Sequence, residues 1–549
     1  MSAKGRLVVL SFLTLFVELA LIRWAGSNII YLSYFSNFVL LGSFLGIGIG
    51  FLRAKSPTDL FAWTPIMLAF FIGFVRIFPV EVECAGPQLI NFGCMPSGLP
   101  IWLTLPVIFV AVAIIMASIA QAVARAFAGF EPLEAYRLDI LGSLAGIAGF
   151  SLLSFLGAPP LVWGAVVAAA FLALSGRSLR LVQAVALGAV LFILGRESFE
   201  AGNSWSPYYK VSLFPVAPGV QEINVNGIPH QLIETIAERK RTEPVYMLPY
   251  RRAHASPLRN VLIVGAGNGT DVAIALAHGA KHIDAVEIDP RIYQIGRELN
   301  PEHPYQRPEV SVHINDGRAF LERTSNRYDL ILFALPDSLA LVSGQSSLRL
   351  ESYLFTKEAM ATARRHLNAG GAFGMYNYYR QGWLLDRLAR TLELAYGHRP
   401  CVDSTVGAGG RFSLLMIGLR AQDAACATTW DPSSRSIPSP ATDDHPFLYL
   451  QFRSIPQLYL VAIATVLLVR CCWCGERRDR SHKCAVTSTC FSWAPRSCCS
   501  RRRMSCSSRS YSARRGSLTH SCSSAFSLPS SLRSNSPNAS ASLILACCT

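Results

Sequence analysis

Gly265, Gly267 and Gly269 follow the apolar run Val261-Leu-Ile-Val264 and lead directly into Asp271 to His278, a helical stretch. A buried parallel strand that turns through glycines into a helix points backbone N–H groups at whatever sits above the strand's carboxyl end. A second apolar run, Ile283 to Ile288, carries Glu287, twenty residues beyond Gly267. That spacing brings a carboxylate to the neighbouring strand edge, where it can accept both hydroxyl hydrogens of a ribose. Asp289 follows it, before Pro290. The glycine pattern is G-x-G-x-G, and Thr270 stands where a dinucleotide fingerprint wants a small residue. This counts against NAD and for S-adenosylmethionine or a relative of it. The plain alternative is a glycine-rich turn with an unrelated acid nearby.

The elements that must position this cradle lie between about 204 and 425, where short strands and helices alternate as in a doubly wound α/β domain. Strand Val310 to Ile314 runs into the Asp316-Gly317 turn and helix Arg318 to Arg323. Strand Asp329 to Phe333, a helix over 356–367, strand Ala372 to Tyr376 and a late strand Arg411 to Leu419 complete the pattern.

Ahead of residue 196 the chain is a different material. Hydrophobic residues make up 51% of the whole and concentrate there, in runs long enough for a bilayer core of about 30 Å. Spans are expected at 7–26, 29–52, 61–79, 101–121, 139–157, 159–175 and 179–195. The fold class is therefore a polytopic α-helical membrane domain (1–200, six or seven helices) followed by a Rossmann-like α/β domain (204–425). After these come a linker (426–454) and an interrupted span (455–470). Lys4, Arg6, Arg53, Lys55, Arg125, Arg137, Arg177 and Arg180 flank alternate sides of successive spans, which the positive-inside bias assigns to the cytoplasm. Cys84 and Cys94 fall in the outer loop 80–100, where a disulfide and two free thiols are both open readings. Seven crossings would put the cradle outside, away from S-adenosyl cofactors. The segment 179–195, short and flanked by Arg180 and Arg196, is expected to lie in the interface or re-enter. Glu18 and Arg76 sit inside spans, where ionised groups are paired or line a pathway. Gly42, Gly46, Gly48 and Gly50 permit close helix packing.

The last 79 residues, 471–549, hold 11 of 15 cysteines, 21 serines and 12 Lys and Arg against 2 acids, with no hydrophobic period. They begin inside the apolar run Leu458 to Val469, as an out-of-frame reading of a GC-rich gene would. Cys471-x-x-Cys474 with His482 and Cys484 lacks a second regular pair, so no metal site is expected. The tail carries +10 of the formal +15, so the charge does not argue for a nucleic-acid partner.

The α/β region resembles the membrane-fused form of the spermidine synthase (aminopropyltransferase) family, a class I S-adenosylmethionine-dependent transferase fold. The matching pieces are Trp205-Ser-Pro-Tyr-Tyr-Lys210, Asn226-Gly-Ile-Pro-His-Gln231, Val245-Tyr-Met-Leu248, Val261 to Thr270, Val286 to Pro290, Asn315-Asp-Gly317, Tyr328-Asp-Leu-Ile331 and Tyr353-Leu-Phe-Thr-Lys357. Glu18-Leu-Ala-Leu-Ile-Arg-Trp24, Tyr136-Arg-Leu-Asp-Ile-Leu-Gly-Ser143 and Asp443-Asp-His-Pro-Phe-Leu-Tyr449 match the membrane-fused members. The resemblance implies polyamine biosynthesis, with decarboxylated S-adenosylmethionine or S-adenosylmethionine as donor. Gly265, Gly267, Asn268 and Gly269 would hold its amino-acid portion, Glu287 and Asp289 its ribose side, and Asp316 with Gly317 its adenine. Gln231, Tyr246, Asp337 and Tyr376 would line the acceptor pocket. Asp316 as a helix N-cap, Asp289 as a turn former and Tyr376 to Tyr379 as packed aromatics are the structural alternatives.

Two departures bear on chemistry. The family carries an acid where Asn268 stands, and a catalytic Asp at the end of the fourth strand where this chain has Ala334. Asp337 alone remains as a catalytic candidate. An amine must lose a proton to attack the carbon beside a sulfonium, and carboxylates serve both to hold the far ammonium and to take that proton. Three function classes follow: a membrane-bound transferase acting on an amine or membrane-associated acceptor, a transporter whose soluble domain senses the cofactor, and an inactive scaffold. The expected location is a bacterial inner membrane with the α/β domain in the cytoplasm. Whether the chain forms a homo-oligomer is left open.

Overall fold

The computed structural model describes residues 1–34, 37–83, 95–175, 180–255, 257–334, 352–379, 381–407, 410–432 and 437–452, with scattered positions to 468. Asp337, Cys84, Cys94 and the tail 471–549 lie outside these residues, as does most of the expected span 455–470.

The N-terminal half is helical: α1 (Ala3–Asn28), α2 (Ile30–Tyr34), α3 (Asn37–Leu52), α4 (Thr64–Ile77), α5 (Ile101–Phe127), α6 (Pro132–Phe155), α7 (Pro160–Ser175) and α8 (Leu181–Ser198). Between α4 and α5 runs a small antiparallel pair, β1 (Glu81–Glu83) and β2 (Met95–Ser97). Four helices, α1, α5, α6 and α8, are long and apolar enough to cross a membrane; α3, α4 and α7 are apolar but shorter. Apolar side chains such as Phe70, Trp102, Leu144, Phe155 and Phe192 point outward, a surface suited to hydrocarbon and costly in water. Small residues bring backbones together. A side chain at Gly50 would meet the Ala117 carbonyl of α5 at 2.5 Å, as the glycine spacing predicts, whereas Gly48 faces open space; Gly146, outside that pattern, approaches the Phe12 carbonyl of α1 in the same way.

Side-chain contacts give each helix a direction. Lys4 pairs with Glu134 at the start of α6 (2.7 Å), and Arg6 donates to the Leu174 carbonyl at the end of α7. Gln183, at the start of α8, donates to the Ala62 carbonyl just ahead of α4 (2.7 Å). At the far end of the same helix Glu197 accepts from the Trp24 indole of α1 (2.7 Å). Helix α8 therefore runs from one end of the bundle to the other. The expectation of an interfacial or re-entrant 179–195 is corrected: its apolar face, including Leu187, Val190 and Leu194, is buried in the bundle core.

The α/β half opens with an antiparallel meander, β3 (Asn203–Trp205), β4 (Lys210–Ala217), β5 (Val220–Val225) and β6 (Ile228–Ile233), which the sequence pattern did not disclose. Then follow α9 (Ile236–Thr242), α10 (Leu248–Arg252), β7 (Asn260–Val264), α11 (Thr270–Ala277), β8 (His282–Glu287), α12 (Pro290–Leu299), β9 (Val310–Ile314), α13 (Gly317–Arg323), β10 (Tyr328–Ala334), α14 (Lys357–Arg365), β11 (Leu367–Tyr378), α15 (Gly382–Tyr396), β12 (Cys401–Gly407), β13 (Gly410–Gly418) and β14 (Thr428–Thr429). The main sheet has the order β14-β12-β13-β11-β10-β7-β8-β9. Strands β9, β8, β7, β10 and β11 are parallel, and β13, β12 and β14 add antiparallel pairs at one edge. Chain order reverses between β7 and β10, so the crevice for a ligand opens at their carboxyl ends. Val261, Leu262 and Ile263 are fully buried, as a strand covered by helices on both faces demands.

Residues 426–452, expected to be a linker, pack back onto this domain. Trp430 is buried and donates to Asp386 (2.9 Å), and Arg387 donates to the carbonyls of Leu448, Leu450 and Gln451. A disulfide joins Cys401 and Cys426, Cα atoms 5.3 Å apart; the sequence reading had looked only to Cys84 and Cys94.

Candidate functional site

The glycine turn sits at the switch point. Gly265 and Ala266 donate their N–H groups to the Val286 carbonyl (3.0 and 3.1 Å), which ties the turn to β8. Gly267 and Gly269 have φ of +56° and +91°, a left-handed backbone that a side chain would strain. Space excludes one too. A Cβ at Gly267 would run into the Gln231 side chain, and one at Gly269 would meet Pro304 at 2.7 Å.

Glu287 meets the turn directly. Its Oε2 accepts from the Gly267 N–H at 2.7 Å and its Oε1 from the Asp289 N–H at 2.9 Å. A carboxylate offers about four lone-pair sites, so each oxygen retains capacity for one more donor, which is what a ribose diol would supply. Burial pushes the Glu287 carboxyl up to about 7, against the hydrogen bonds from Asp289 and Gly267. Asp289, fully buried, caps α12 by accepting from Arg291 (2.8 Å) and Ile292 (3.2 Å). Asp316 caps α13 through Ala319 (2.8 Å). Both acids thus do the local capping that their positions allowed, each just beyond the carboxyl end of its strand, β8 for Asp289 and β9 for Asp316. Gly317 packs on Val264, where a Cβ would clash.

Asn268 is turned into the protein. Its amide donates to the Leu232 carbonyl (2.8 Å), and its oxygen accepts from the N–H and hydroxyl of Thr270. Gln231 reaches the same turn from β6, accepting from the Asn268 N–H at 2.8 Å, so it lies against the glycines.

A second cluster lies behind the turn. The Tyr376 hydroxyl is 2.7 Å from both oxygens of Asp271, and the Tyr250 hydroxyl donates to the Asp271 carbonyl. Burial raises the Asp271 carboxyl to about 6, opposed by the Tyr376 hydrogen bond. Tyr246 packs edge-on to Tyr376 (5.3 Å) with Phe412 beside both. Arg239 lies over the Tyr246 ring, pairs with Glu234 at 2.7 Å and with Glu243, and Tyr378 donates to Glu243 (2.6 Å). Tyr246 and Tyr376 are thus brought together as packed aromatics. Asp271 escaped the sequence reading because an acid in a helix's first turn ordinarily serves the helix dipole. Its one signal was its place directly after the glycine loop.

Ala334 ends β10 and is buried, paired in register with Tyr376, so the edge position carries a methyl group. Asp337 lies outside the described residues. Among those residues no group of three metal-ligating side chains occurs.

Comparison with known proteins bears on this geometry, because the model of the "Spermine/spermidine synthase domain" matches residues 248–392, the stretch from α10 through most of α15. Residues 248–392 form a spermine/spermidine synthase domain. Curated relatives agree. A polyamine aminopropyltransferase of Hamiltonella defensa is 34% identical over 123 residues, 22% of this chain and 39% of the relative. One of Thermoplasma acidophilum is 26% identical over 170 residues, 30% of this chain and 56% of the relative. The chain thus spans 39% and 56% of the length of these two relatives. Among solved structures, a spermidine synthase in complex with the transition-state analogue AdoDATO aligns with TM-score 0.32 and 16% identity, covering 48% of this chain and 86% of that one. Human methyltransferase-like protein 13 in complex with SAH aligns with TM-score 0.26 and 20% identity, covering 33% and 82%. The synthase domain contains the glycine turn, Glu287, Asp289, Asp316 and Ala334, whereas Gln231 and the meander precede it.

Proposed function

We propose that this chain is a membrane-attached, spermidine synthase-like transferase that takes an S-adenosyl donor at the Gly265–Gly269 turn. Decarboxylated S-adenosylmethionine is the donor of the family, and an aminopropyl group the cargo. The observation that carries the proposal is the 2.7 Å contact between Gly267 N–H and Glu287 at the switch point, within a synthase domain. Glu287 would accept the ribose hydroxyls, with Asp289 and Asp316 at the ends of β8 and β9 as the further donor-binding acids.

In such a transfer the amine nitrogen bonds to the carbon next to sulfur, the carbon–sulfur bond breaks with its electron pair going to sulfur, and the ammonium proton leaves. Sulfonium departure needs mainly alignment, so the protein's task is to hold the donor and deprotonate the amine. Asp337 is the proposed proton acceptor; Gln231 supports the glycine turn, and Tyr246 and Tyr376 form the packed wall behind it. The acceptor is an amine or a membrane-associated molecule. Asn268, committed to Leu232 and Thr270, puts no acid at its position to repel a donor carboxylate, which keeps S-adenosylmethionine and methyl transfer as a second reading. Ala334 favours a third, a transporter or scaffold that binds the donor without turnover.

The membrane attachment rests on four helices of spanning length. The cytoplasmic side is proposed for the synthase domain because S-adenosyl donors are made there. Mass spectrometry of the product formed from isotopically labelled donor, with putrescine or membrane extract as acceptor, tests the proposal. A labelled polyamine supports aminopropyl transfer, and a donor that binds but is never consumed leaves the non-catalytic reading.

A further inference from the structure

We propose that Arg23, near the C-terminal end of α1, is a positioning residue for the donor site, so that the helical bundle forms part of the site's support. This rests on the donor reading above. The Arg23 guanidinium leaves the bundle to donate to the carbonyls of Pro207 (3.0 Å) and Ser206. It lies 5.3 Å from the Trp163 ring of α7 and 5.8 Å from the Trp205 ring of β3, two indoles that meet edge to face with centroids 5.0 Å apart. A planar cation packed against a pair of indoles, with one carbonyl acceptor on each terminal nitrogen of its fork, is held in orientation as well as in place.

The turn it grips is itself tight: Ser206 Oγ accepts from the N–H groups of Tyr208 (3.1 Å) and Tyr209 (2.8 Å). Across that turn stands Asp289, fully buried, whose N–H is one of the two that orient Glu287. Burial raises the Asp289 carboxyl, opposed first by a hydrogen bond from the Ser206 side chain, then by the N–H groups of Arg291 and Ile292, and last by the Arg23 charge. Arg291, two residues on, donates to Ser204 of β3 (3.1 Å), a second tie between α12 and the strand that Arg23 holds. The sequence of contacts is thus α1, the 206–209 turn, Asp289, Glu287.

Burying two acids side by side is costly unless a cation compensates. Arg23, from the helical half, brings positive charge to the turn that Asp289 meets through Ser206. The next residue, Trp24, makes a separate joint: Glu197 accepts from its indole and from the Lys210 ammonium of β4 (2.8 Å), all three buried. An anchor that only tethered the domain would require neither joint.

The test uses the full-length protein in detergent or nanodiscs, with 5′-methylthioadenosine as the probe. Hydrogen exchange of 204–209 and 286–292 is compared in ligand-free wild type and Arg23→Gln, and probe affinity is measured by calorimetry. Arg23→Gln is expected to exchange roughly tenfold faster in both segments and to bind about tenfold to a hundredfold more weakly. In turnover assays donor KM rises while kcat is kept. Arg23→Lys, which keeps the charge but not the fork, is expected to fall in between, and it carries the same comparison if the Gln variant does not fold. Wild-type exchange and affinity in these variants overturn the proposal alone. Wild type that does not bind the probe overturns the donor reading, and the proposal with it.

Discussion

Replacing Glu287 with Gln separates stability from donor binding, because the two depend on its charge with opposite sign. In the folded protein the carboxyl titrates at about 7 against a usual 4.5, so the native state keeps its proton longer than the unfolded chain. The sign follows: the contribution to stability is fully present below the unfolded value and is lost as pH rises from about 4.5 through 7. A shift of that size corresponds to roughly 3 kcal/mol. The glutamine amide never ionises and avoids this loss. It keeps one oxygen for the Gly267 or Asp289 N–H and leaves the other facing an NH2, a cost of about 1–3 kcal/mol. At pH 8 the two effects nearly cancel, and the variant should melt within a few degrees of wild type. Donor binding should not cancel. A charged acceptor for two ribose hydroxyls contributes about 1.5–3 kcal/mol per bond, so affinity for 5′-methylthioadenosine should fall by about a hundredfold or more at pH 8. Wild-type affinity itself should weaken as pH drops below 7, while that of the Gln variant stays flat. Calorimetric titration from pH 6 to 8.5, beside thermal melts of the same samples, reads both. Equal affinity in the two proteins at pH 8 would refute the ribose role of Glu287.

Ala334→Asp restores a carboxylate at the end of β10 and should raise aminopropyl transfer to putrescine at least tenfold, measured by product mass spectrometry. An unchanged rate would show that position 334 does not face the acceptor. Tyr376→Phe leaves the buried Asp271 short of a donor and should destabilise by about 1–3 kcal/mol. Because that hydroxyl favours the ionised acid, the loss should grow as pH rises through about 6, and equal melting shifts at pH 5 and pH 8 would sink the reasoning. A reporter fused after Gln451 should register the cytoplasm, and a signal from the opposite side would remove the S-adenosyl donor from consideration.

What the sequence made legible was set by how local each signal is. The glycine turn and Glu287 came through because strand, turn and acid are fixed by short-range spacing, and the sheet register then closes Gly267 on Glu287. Gln231, expected in the acceptor pocket, sits on the glycine loop instead, because β6 packs there. The meander β3–β6 was missed: its strands alternate poorly, with Val220, Gln221 and Glu222 all half-buried, so no two-residue period stands out. The Cys401–Cys426 pair and the fold-back of 426–452 are long-range closures with no local signature. Helix α8 was doubted because of its flanking arginines. In the fold Arg180 starts the helix and Arg196 falls in its last turn, near the carbonyls that favour a cation there.

The direction of α8 sharpens the question of sidedness. Its start lies beside Ala62 and its end beside Trp24, so the bundle delivers the synthase domain to the end opposite Lys4 and Arg6. Arg53, Lys55, Arg125 and Arg180 gather at the Lys4 end, and Arg125 there donates to the carbonyls of Ala54, Ser56 and Thr58. The loop from 78 to 100 at the other end has no Lys or Arg. Charge bias alone would put the basic end in the cytoplasm and the synthase domain outside, where a disulfide such as Cys401–Cys426 persists. Donor chemistry demands the reverse. The bias acts on insertion and yields to other signals, whereas a transferase cannot work without its donor, so the donor argument decides as long as the cradle binds one. If 5′-methylthioadenosine does not bind, that argument lapses, and the charge bias and the disulfide together assign the domain to the outer face.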